Sequence, residues 1–163
     1  MSDEMTSTQD YIDVVNVVHQ DFQRADAKDF TGERALWADE LTVDYGGVNP
    51  EAEGVVTADA LKGAWERQLG PLELTQHMAS SEVVTVNGDE ASVTYNLQSL
   101  HYHSALGESV DVNTWTHYGR ATHGLRRIAG SWKVVSVQFR IVHSTGNANM
   151  IPDVMALNAP SGH

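Results

Sequence analysis

The sequence of 163 residues contains no cysteine and few basic residues. The lack of cysteine excludes disulfides, thiolate metal sites and thiol nucleophiles together. Only 10 Lys and Arg residues stand against 22 Asp and Glu residues, which gives a formal net charge of -12. A protein of that charge repels a phosphate backbone, so we expect no nucleic-acid partner.

Long apolar runs and a signal sequence are also missing. No apolar run approaches the roughly 20 residues that a membrane-spanning helix needs. The N-terminal Met-Ser-Asp-Glu-Met lacks the basic and apolar regions of a signal peptide. We therefore expect no membrane partner and a soluble, cytoplasmic protein. The length suits one domain with a real core and is short for two.

The hydrophobic pattern predicts helices first and a long antiparallel meander second. Predicted helices cover residues 8–27, 32–37 (capped by Thr31) and 58–69 (capped by Thr57). Predicted strands cover residues 41–45, 74–86, 91–103, 110–127 and 132–143, and residues 48–56 are a predicted loop. Asn87-Gly88 is a strong hairpin signal. This order predicts an α+β domain whose curved sheet wraps against the helices and encloses a pocket.

The predicted organisation is a single domain with two short ends. Residues 1–8 are polar and predicted to be flexible, and the domain covers residues 9–146. Residues 147–163 form a tail that is apolar over its middle part. We expect this tail either to cover the mouth of the pocket or to pack at a subunit interface.

Asp26 continues the apolar face of the first predicted helix. Apolar residues recur at spacings of three and four, at Ile12, Val15, Val18 and Phe22. The next position on that face is Asp26. A carboxylate on the buried side of a helix is costly unless a group pairs with it. Two interpretations stay open: Asp26 caps a fraying helix end, or it points into a cavity and meets a base.

Several of the eight histidines fall within predicted strands. On strand 91–103 the odd positions are apolar, which places His101 and His103 on the apolar face. His101, His103 and Glu108 resemble the first half of the cupin metal motif, but the flanking glycines and the cupin architecture are missing. We therefore expect no metal ion. The other chemistry is acid–base catalysis by a histidine that a carboxylate holds in one tautomer, for which Asp26 and His77 are candidates.

With these residues in place, the chain resembles the scytalone dehydratase and hexachlorocyclohexane dehydrochlorinase group of SnoaL-like proteins, which have the nuclear-transport-factor-2-like fold. The resemblance covers about residues 8–146, and its short matches occur in the family's order. They are Asp26-Ala27-Lys28-Asp29-Phe30, Trp37, Val43-Asp44-Tyr45, Thr75-Gln76-His77, His101 and Gly130-Ser131-Trp132-Lys133.

The resemblance implies an α+β fold with a cone-shaped, mostly antiparallel curved sheet packed on the N-terminal helices. It implies that Asp26 and His77 are catalytic and that Tyr45 and His101 contact the substrate. Trp37 fits the dehydrochlorinase spacing. Further candidates for substrate binding share strand parity with pocket positions: His103, Trp115, His117 and His123. Of these, His117 and His123 are equally consistent with ordinary sheet residues.

The same resemblance also shows departures that concern the substrate. Ala25 stands where the dehydratase has a second Tyr, and Gly119 and Ala121 stand where it has a substrate-binding Ser and Asn. We therefore expect a substrate different from scytalone.

The sequence favours a cofactor-independent lyase of the dehydratase type. It would eliminate water, or with less support HX, from a small apolar cyclic or polyketide-like substrate by His/Asp acid–base catalysis. One alternative is an isomerase or polyketide cyclase that uses the same base, and another is a non-catalytic ligand-binding or assembly module. The resemblance also implies a homo-oligomer, either a dimer or a trimer.

Overall fold

The computed structural model describes residues 7–159. The helices are α1 (Thr8–Asp26), α2 (Phe30–Arg34), α3 (Ala58–Gln68), α4 (Val110–Asn113) and α5 (Met150–Leu157). The strands are β1 (Trp37–Asp44), β2 (Gly54–Thr57), β3 (Leu74–Asn87), β4 (Glu90–Tyr102), β5 (Thr114–Ile128) and β6 (Ser131–Gly146). The predicted flexible segment of residues 1–8 lies mostly outside the described residues.

The six strands form one sheet in the order β2-β1-β6-β5-β4-β3. All neighbouring strands are antiparallel except β1 and β6, which are parallel. The register shifts between Ser80 and Val83 in β3, and again at two places between β5 and β6. Such irregularities bend long strands and increase their twist. The predicted α+β fold, a mostly antiparallel curved sheet packed against helices, is confirmed.

Helix α1 packs its inner face onto the sheet. Ser7 caps its start by accepting a hydrogen bond from the Asp10 backbone N–H at 3.0 Å. Val14 and Val18 are fully buried in a core cluster that they share with residues of β4, β5 and β6. The predicted face was rotated, because Ile12 is 44% exposed. The buried face consists of Val14, Val18, Asp21 and Ala25.

Three further predictions of local structure were wrong. Helix α2 begins at Phe30 with Asp29 as its cap, instead of Thr31, and it ends early enough for Trp37 to open β1. The predicted loop 48–56 runs into strand β2, which pairs with β1. The predicted strand 110–127 starts as helix α4, because the Ser109 hydroxyl accepts from the Asp111 N–H and caps a helical turn there.

The C-terminal tail folds into helix α5. Met150 and Val154 are fully buried in a cluster with Phe30, Leu69 and Trp115. This packing brings α5 onto the cavity described below. None of the helices within residues 7–159 combines the length and the apolarity that crossing a bilayer requires.

Candidate active site

A cavity of about 690 Å³ lies among the helices and the inner face of the sheet. Its size falls in the range of small-molecule binding sites, roughly 300–1,000 Å³. Helix α5 contributes to its wall through Ile151, Pro152 and Met155. The lining includes seven residues that the sequence predicted for the site: Trp37, Tyr45, His77, His101, Trp115, His117 and His123.

Asp26 and His77 are in direct contact. The His77 ring nitrogen Nδ1 lies 2.6 Å from Asp26 Oδ1, and the His77 backbone N–H donates to Asp26 Oδ2 at 2.8 Å. The Thr75 hydroxyl donates to Asp26 Oδ1 at 3.0 Å. With Nδ1–H donating to the carboxylate, Nε2 is the nitrogen that is free to accept a proton.

Asp26 does not cap helix α1. The N–H of the following residue, Ala27, bonds to backbone carbonyls of the helix, while the Asp26 carboxylate turns to β3. A carboxylate at the C-terminal end of a helix faces the negative end of the helix dipole. The three hydrogen bonds from Thr75 and His77 offset that cost.

Lys28 supports this contact from the turn after α1. Its φ of 60° is left-handed, and the turn directs its ammonium group to the Leu69 carbonyl at 2.8 Å and to Thr75 Oγ1 at 3.5 Å. Burial lowers the pKa of Lys28, and the charge of Asp26 opposes that shift. Lys28 thus holds Thr75, which in turn holds Asp26.

Aromatic rings hold the His77 ring in place. The Phe22 ring stacks on it with centroids 5.4 Å apart, and His101 meets it edge-on at 5.9 Å. His101 is itself stacked on Trp115 at 5.0 Å. The candidate base therefore lies in a wall of rings that restricts its rotation.

His101 and His117 are buried, neutral histidines. Burial, reinforced by nearby His77, lowers the pKa of His101 to about 3 and that of His117 to about 4. His101 Nδ1 donates to the Trp115 carbonyl oxygen at 3.3 Å, so its Nε2 is an acceptor. At neutral pH neither ring supplies a positive charge to the cavity.

Three polar atoms on this part of the wall have no hydrogen-bond partner within the described part of the chain. They are Ser99 Oγ, Trp115 Nε1 and His117 Nδ1. Ser99 lies opposite His117 in the β4–β5 register, and His101 lies opposite Trp115. Buried polar groups are costly when they are left unpaired, so this array is suited to a ligand that carries oxygen atoms. We name Ser99, Trp115 and His117 the sheet-side array.

Gly119, further along β5, leaves no room for a side chain. A Cβ at this position would overlap the Arg140 carbonyl oxygen and the Phe139 ring. The unpartnered polar side chains of this wall therefore lie at the strand positions of the sheet-side array.

The sequence did not reveal a second carboxylate–histidine pair. His123 Nε2 lies 3.1 Å from Asp21 Oδ2, and the Tyr95 hydroxyl lies 2.7 Å from His123 Nδ1. The Trp37 indole N–H donates to Asp21 Oδ1 at 2.6 Å. Trp37 therefore lines the cavity and also orients Asp21. If the apolar face is counted from Val14 instead of Ile12, it leads to Asp21, and the sequence would then have indicated this second carboxylate.

Sequence reasoning also missed Glu33 on α2. It is 3% exposed and lines the cavity near Trp37 and Tyr45, and its Oε2 has no partner among residues 7–159. Burial, together with the charges of Asp21, Asp26 and Asp29, raises its pKa to about 10. Burial also raises the pKa of the Tyr45 hydroxyl well above its ordinary value. A Glu inside a short predicted helix gives no signal that sets it apart.

The structure places His103 outside the cavity lining, in contrast to the prediction. Strand β4 ends at Tyr102, so the alternation that put His103 on the inner face no longer applies. The His103 ring accepts a hydrogen bond from the Ala105 N–H at 3.2 Å and caps a short 3₁₀ turn. Within residues 7–159, no three His, Cys, Asp or Glu side chains are arranged to hold a metal ion.

Residues 6–138 match the SnoaL-like domain family. The match covers well over half of the chain, and the protein belongs to this family. No curated protein matches the chain in sequence.

Solved structures of the same fold include proteins named as enzymes. The Kfla4162 protein from Kribbella flavida has a TM-score of 0.81 at 23% identity, covering 88% of this chain and 97% of that one. A candidate scytalone dehydratase from Novosphingobium aromaticivorans has a TM-score of 0.71 at 19% identity, with 84% and 87% covered. A type 2 hexachlorocyclohexane dehydrochlorinase (LinA) has a TM-score of 0.68 at 13% identity, with 83% and 86% covered. At these identities the likeness shows the fold.

Proposed function

We propose that the protein is a cofactor-independent lyase that removes water from a small, uncharged cyclic ketone bearing a β-hydroxyl group. The observation that carries this proposal is the Asp26–His77 pair, whose histidine lines a ligand-sized cavity. The names of two structural neighbours, a candidate scytalone dehydratase and a dehydrochlorinase, support elimination as the reaction class.

The proton movements follow from the tautomer of His77. Its Nε2 takes the proton from the carbon next to the carbonyl, and the imidazolium that forms is stabilised by Asp26. The electron pair of the broken C–H bond forms the new C=C bond as the adjacent C–O bond breaks. Nε2 then returns the same proton to the leaving hydroxyl on that face of the ring, which releases water and restores neutral His77.

The sheet-side array supplies hydrogen bonds to the carbonyl. The Trp115 N–H and the Ser99 hydroxyl are unpartnered donors, and donors of this kind stabilise negative charge that develops on an oxygen in a low-dielectric site. His101 Nε2 is an acceptor and suits the hydrogen of the leaving hydroxyl. The apolar and aromatic remainder of the wall favours a ring and excludes water.

The test is the dehydration of 3-hydroxy-1-tetralone, in which loss of water gives fluorescent 1-naphthol. We expect wild-type protein to accelerate this reaction and His77→Gln and Asp26→Asn to reduce the acceleration by about 10²- to 10⁴-fold. Glu66→Gln, on the exposed face of α3, is the matched control for the removal of a carboxylate and keeps wild-type turnover.

Binding of 1-tetralone, followed by tryptophan fluorescence, separates chemistry from affinity. His77→Gln retains this binding if the residue acts as a base. A wild-type rate equal to that of buffer contradicts the lyase. If the protein instead exchanges the C2 protons of 1-tetralone without dehydrating the hydroxyketone, the isomerase or cyclase reading replaces it.

A further inference from the structure

Glu33 is a buried titratable group of the cavity that the elimination mechanism does not use. We propose that Glu33 is a neutral carboxylic acid that donates a hydrogen bond to a second, uncharged oxygen of the substrate, at the α2 end of the cavity. The inference rests on the proposed function only in taking this cavity as the substrate site.

The local fold directs Glu33 inward. Asp29 caps α2 by accepting from the Gly32 N–H at 2.9 Å, and the Glu33 N–H bonds to the Asp29 carbonyl at 2.9 Å. The same turn buries Phe30, three positions before Glu33 and on the same side of the helix. The carboxyl group is thereby fixed in the cavity wall, with Oε2 lacking a partner in the described part of the chain.

The cavity lining within residues 7–159 contains no Lys or Arg that could neutralise an ionised Glu33. The arginines of α1 and α2 have other partners: Arg34 pairs with Asp39 and Asp59, and Arg24 lies 3.9 Å from Asp29. Lys28, between the two helices, donates to the Leu69 carbonyl. A buried carboxylate without a counter-charge keeps its proton instead of ionising.

The charged groups around Glu33 act in the same direction. Asp21 and Asp26 on α1 and Asp29 at the start of α2 each disfavour a further negative charge, and burial disfavours it most. Asp21 already accepts from Trp37, with its other oxygen 3.1 Å from His123 Nε2. It therefore has its own partners and leaves the Glu33 proton free.

A neutral carboxylic acid in such a wall selects for a particular ligand chemistry. It donates one hydrogen bond, and a ketone, ester or hydroxyl oxygen accepts it. A ligand carboxylate or phosphate would add charge beside three aspartates in a cavity where His101 and His117 are neutral. The substrate class is thus an uncharged ring compound with oxygens at both ends, one facing the sheet-side array and one facing Glu33.

The protonation state is tested by infrared difference spectroscopy at pH 7 in D₂O. The wild-type minus Glu33→Gln spectrum should show the C=O stretch of a protonated carboxylic acid. The matched control, wild type minus Glu66→Gln, should show the bands of an ionised carboxylate, because Glu66 is exposed and pairs with Lys62. Carboxylate bands in both difference spectra overturn the proposal.

The donor role is tested with two probes that differ by one carbonyl, decalin-1,5-dione and 1-decalone. We expect wild-type protein to bind the dione about tenfold more tightly, as one hydrogen bond at a buried donor allows. Glu33→Met should abolish this preference, and Glu33→Gln, which keeps a donor of similar size, should restore it. Equal preference in wild type and Glu33→Met overturns the proposal.

Both readouts are independent of catalysis. His77→Gln should retain the preference for the dione, because Glu33 donates the hydrogen bond to the second carbonyl. A protein that shows the preference but no turnover therefore refutes the lyase and not the role of Glu33. The reverse pattern, turnover without a preference for the dione, refutes only the role of Glu33 and not the lyase.

Discussion

At the scale of single residues, one buried hydroxyl contributes to the position of the Asp26 carboxylate beside the two hydrogen bonds from His77. Thr75 is 2% exposed, and it links Lys28 to Asp26. Because Asp26 orients His77, a change at Thr75 acts on catalysis through another residue. Thr75 is a positioning residue in this account.

We predict that Thr75→Val lowers kcat for dehydration of 3-hydroxy-1-tetralone about tenfold and leaves KM nearly unchanged, since one hydrogen bond to the carboxylate is lost while the cavity keeps its shape. Thr75→Ser restores the hydroxyl and should restore kcat. Steady-state kinetics of wild type, Thr75→Val and Thr75→Ser measure kcat and KM for this comparison. A Val variant with wild-type kcat, or a Ser variant as slow as Val, contradicts the positioning role.

The buried histidines make stability sensitive to acid. The folded-state pKa of His101 is about 3 and that of His117 about 4, whereas the ordinary value is 6.5. As pH falls below about 6.5, these histidines bind protons in the unfolded chain but stay neutral in the folded chain. The contribution of these two histidines to the free energy of unfolding therefore falls with decreasing pH, down to about 4 for His117 and about 3 for His101. Each contributes a slope of up to about 1.4 kcal/mol per pH unit.

We predict that His101→Gln reduces the slope of the free energy of unfolding against pH between pH 6 and pH 4.5. The reduction should correspond to the loss of about one proton taken up on unfolding. Urea unfolding at several pH values measures it, with the exposed His143→Gln as the control for loss of a histidine. An unchanged slope in His101→Gln would mean that His101 titrates normally in the folded protein.

At the scale of elements, turn chemistry and strand alternation carried most of the sequence-based prediction. The Asn87-Gly88 signal placed the β3–β4 hairpin, and alternation placed His101 on the inner face of the sheet. Trp115 and His117 only shared strand parity with pocket positions, and the structure shows both of them buried. Alternation failed at His103, because nothing in it marks where β4 ends. It failed also at residues 110–113, where a serine cap starts a helix.

The rotation of α1 was the costliest error for the site. Counting its apolar face from Ile12 reached Asp26 but passed over Asp21, since the true inner face runs through Val14 and Val18. Asp26 and His77 lie 51 positions apart, and local pattern offered them only as candidates for an acid–base pair, to which the family resemblance added support. Glu33 was invisible because its protonation depends on burial and on three aspartates that only the tertiary structure brings near.

Helix α5 belongs to the core as much as to the cavity wall. Met150 is fully buried, whereas Leu157 at the end of the same helix is 52% exposed. We predict that Met150→Ala lowers the free energy of unfolding by about 2–5 kcal/mol, because it leaves a cavity beside Trp115 and Phe30. Leu157→Ala, the matched control, should change it by less than about 0.5 kcal/mol. A similar small effect of both variants in urea unfolding would show that α5 does not pack as described.

At the scale of the whole molecule, the curved sheet and the helices together place the base, the sheet-side array and Glu33 on different parts of one cavity wall. The sheet contributes His77 from β3, His101 from β4 and Trp115 from β5, α2 contributes Glu33, and α1 contributes Asp26, which contacts His77. The cavity therefore forms only when the helices and the sheet pack together. The homo-oligomer and the cytoplasmic location stay predictions, and light scattering after size exclusion checks the first.

The central claim is that His77 removes a proton from carbon, and hydrogen–deuterium exchange at C2 of 1-tetralone measures this step without a leaving group. In D₂O, followed by proton NMR, wild-type protein and Glu66→Gln should accelerate exchange equally above the buffer rate. His77→Gln should lose that acceleration by about 10²-fold or more. Exchange at the buffer rate with wild-type protein that binds 1-tetralone, or equal exchange with His77→Gln, would contradict the account.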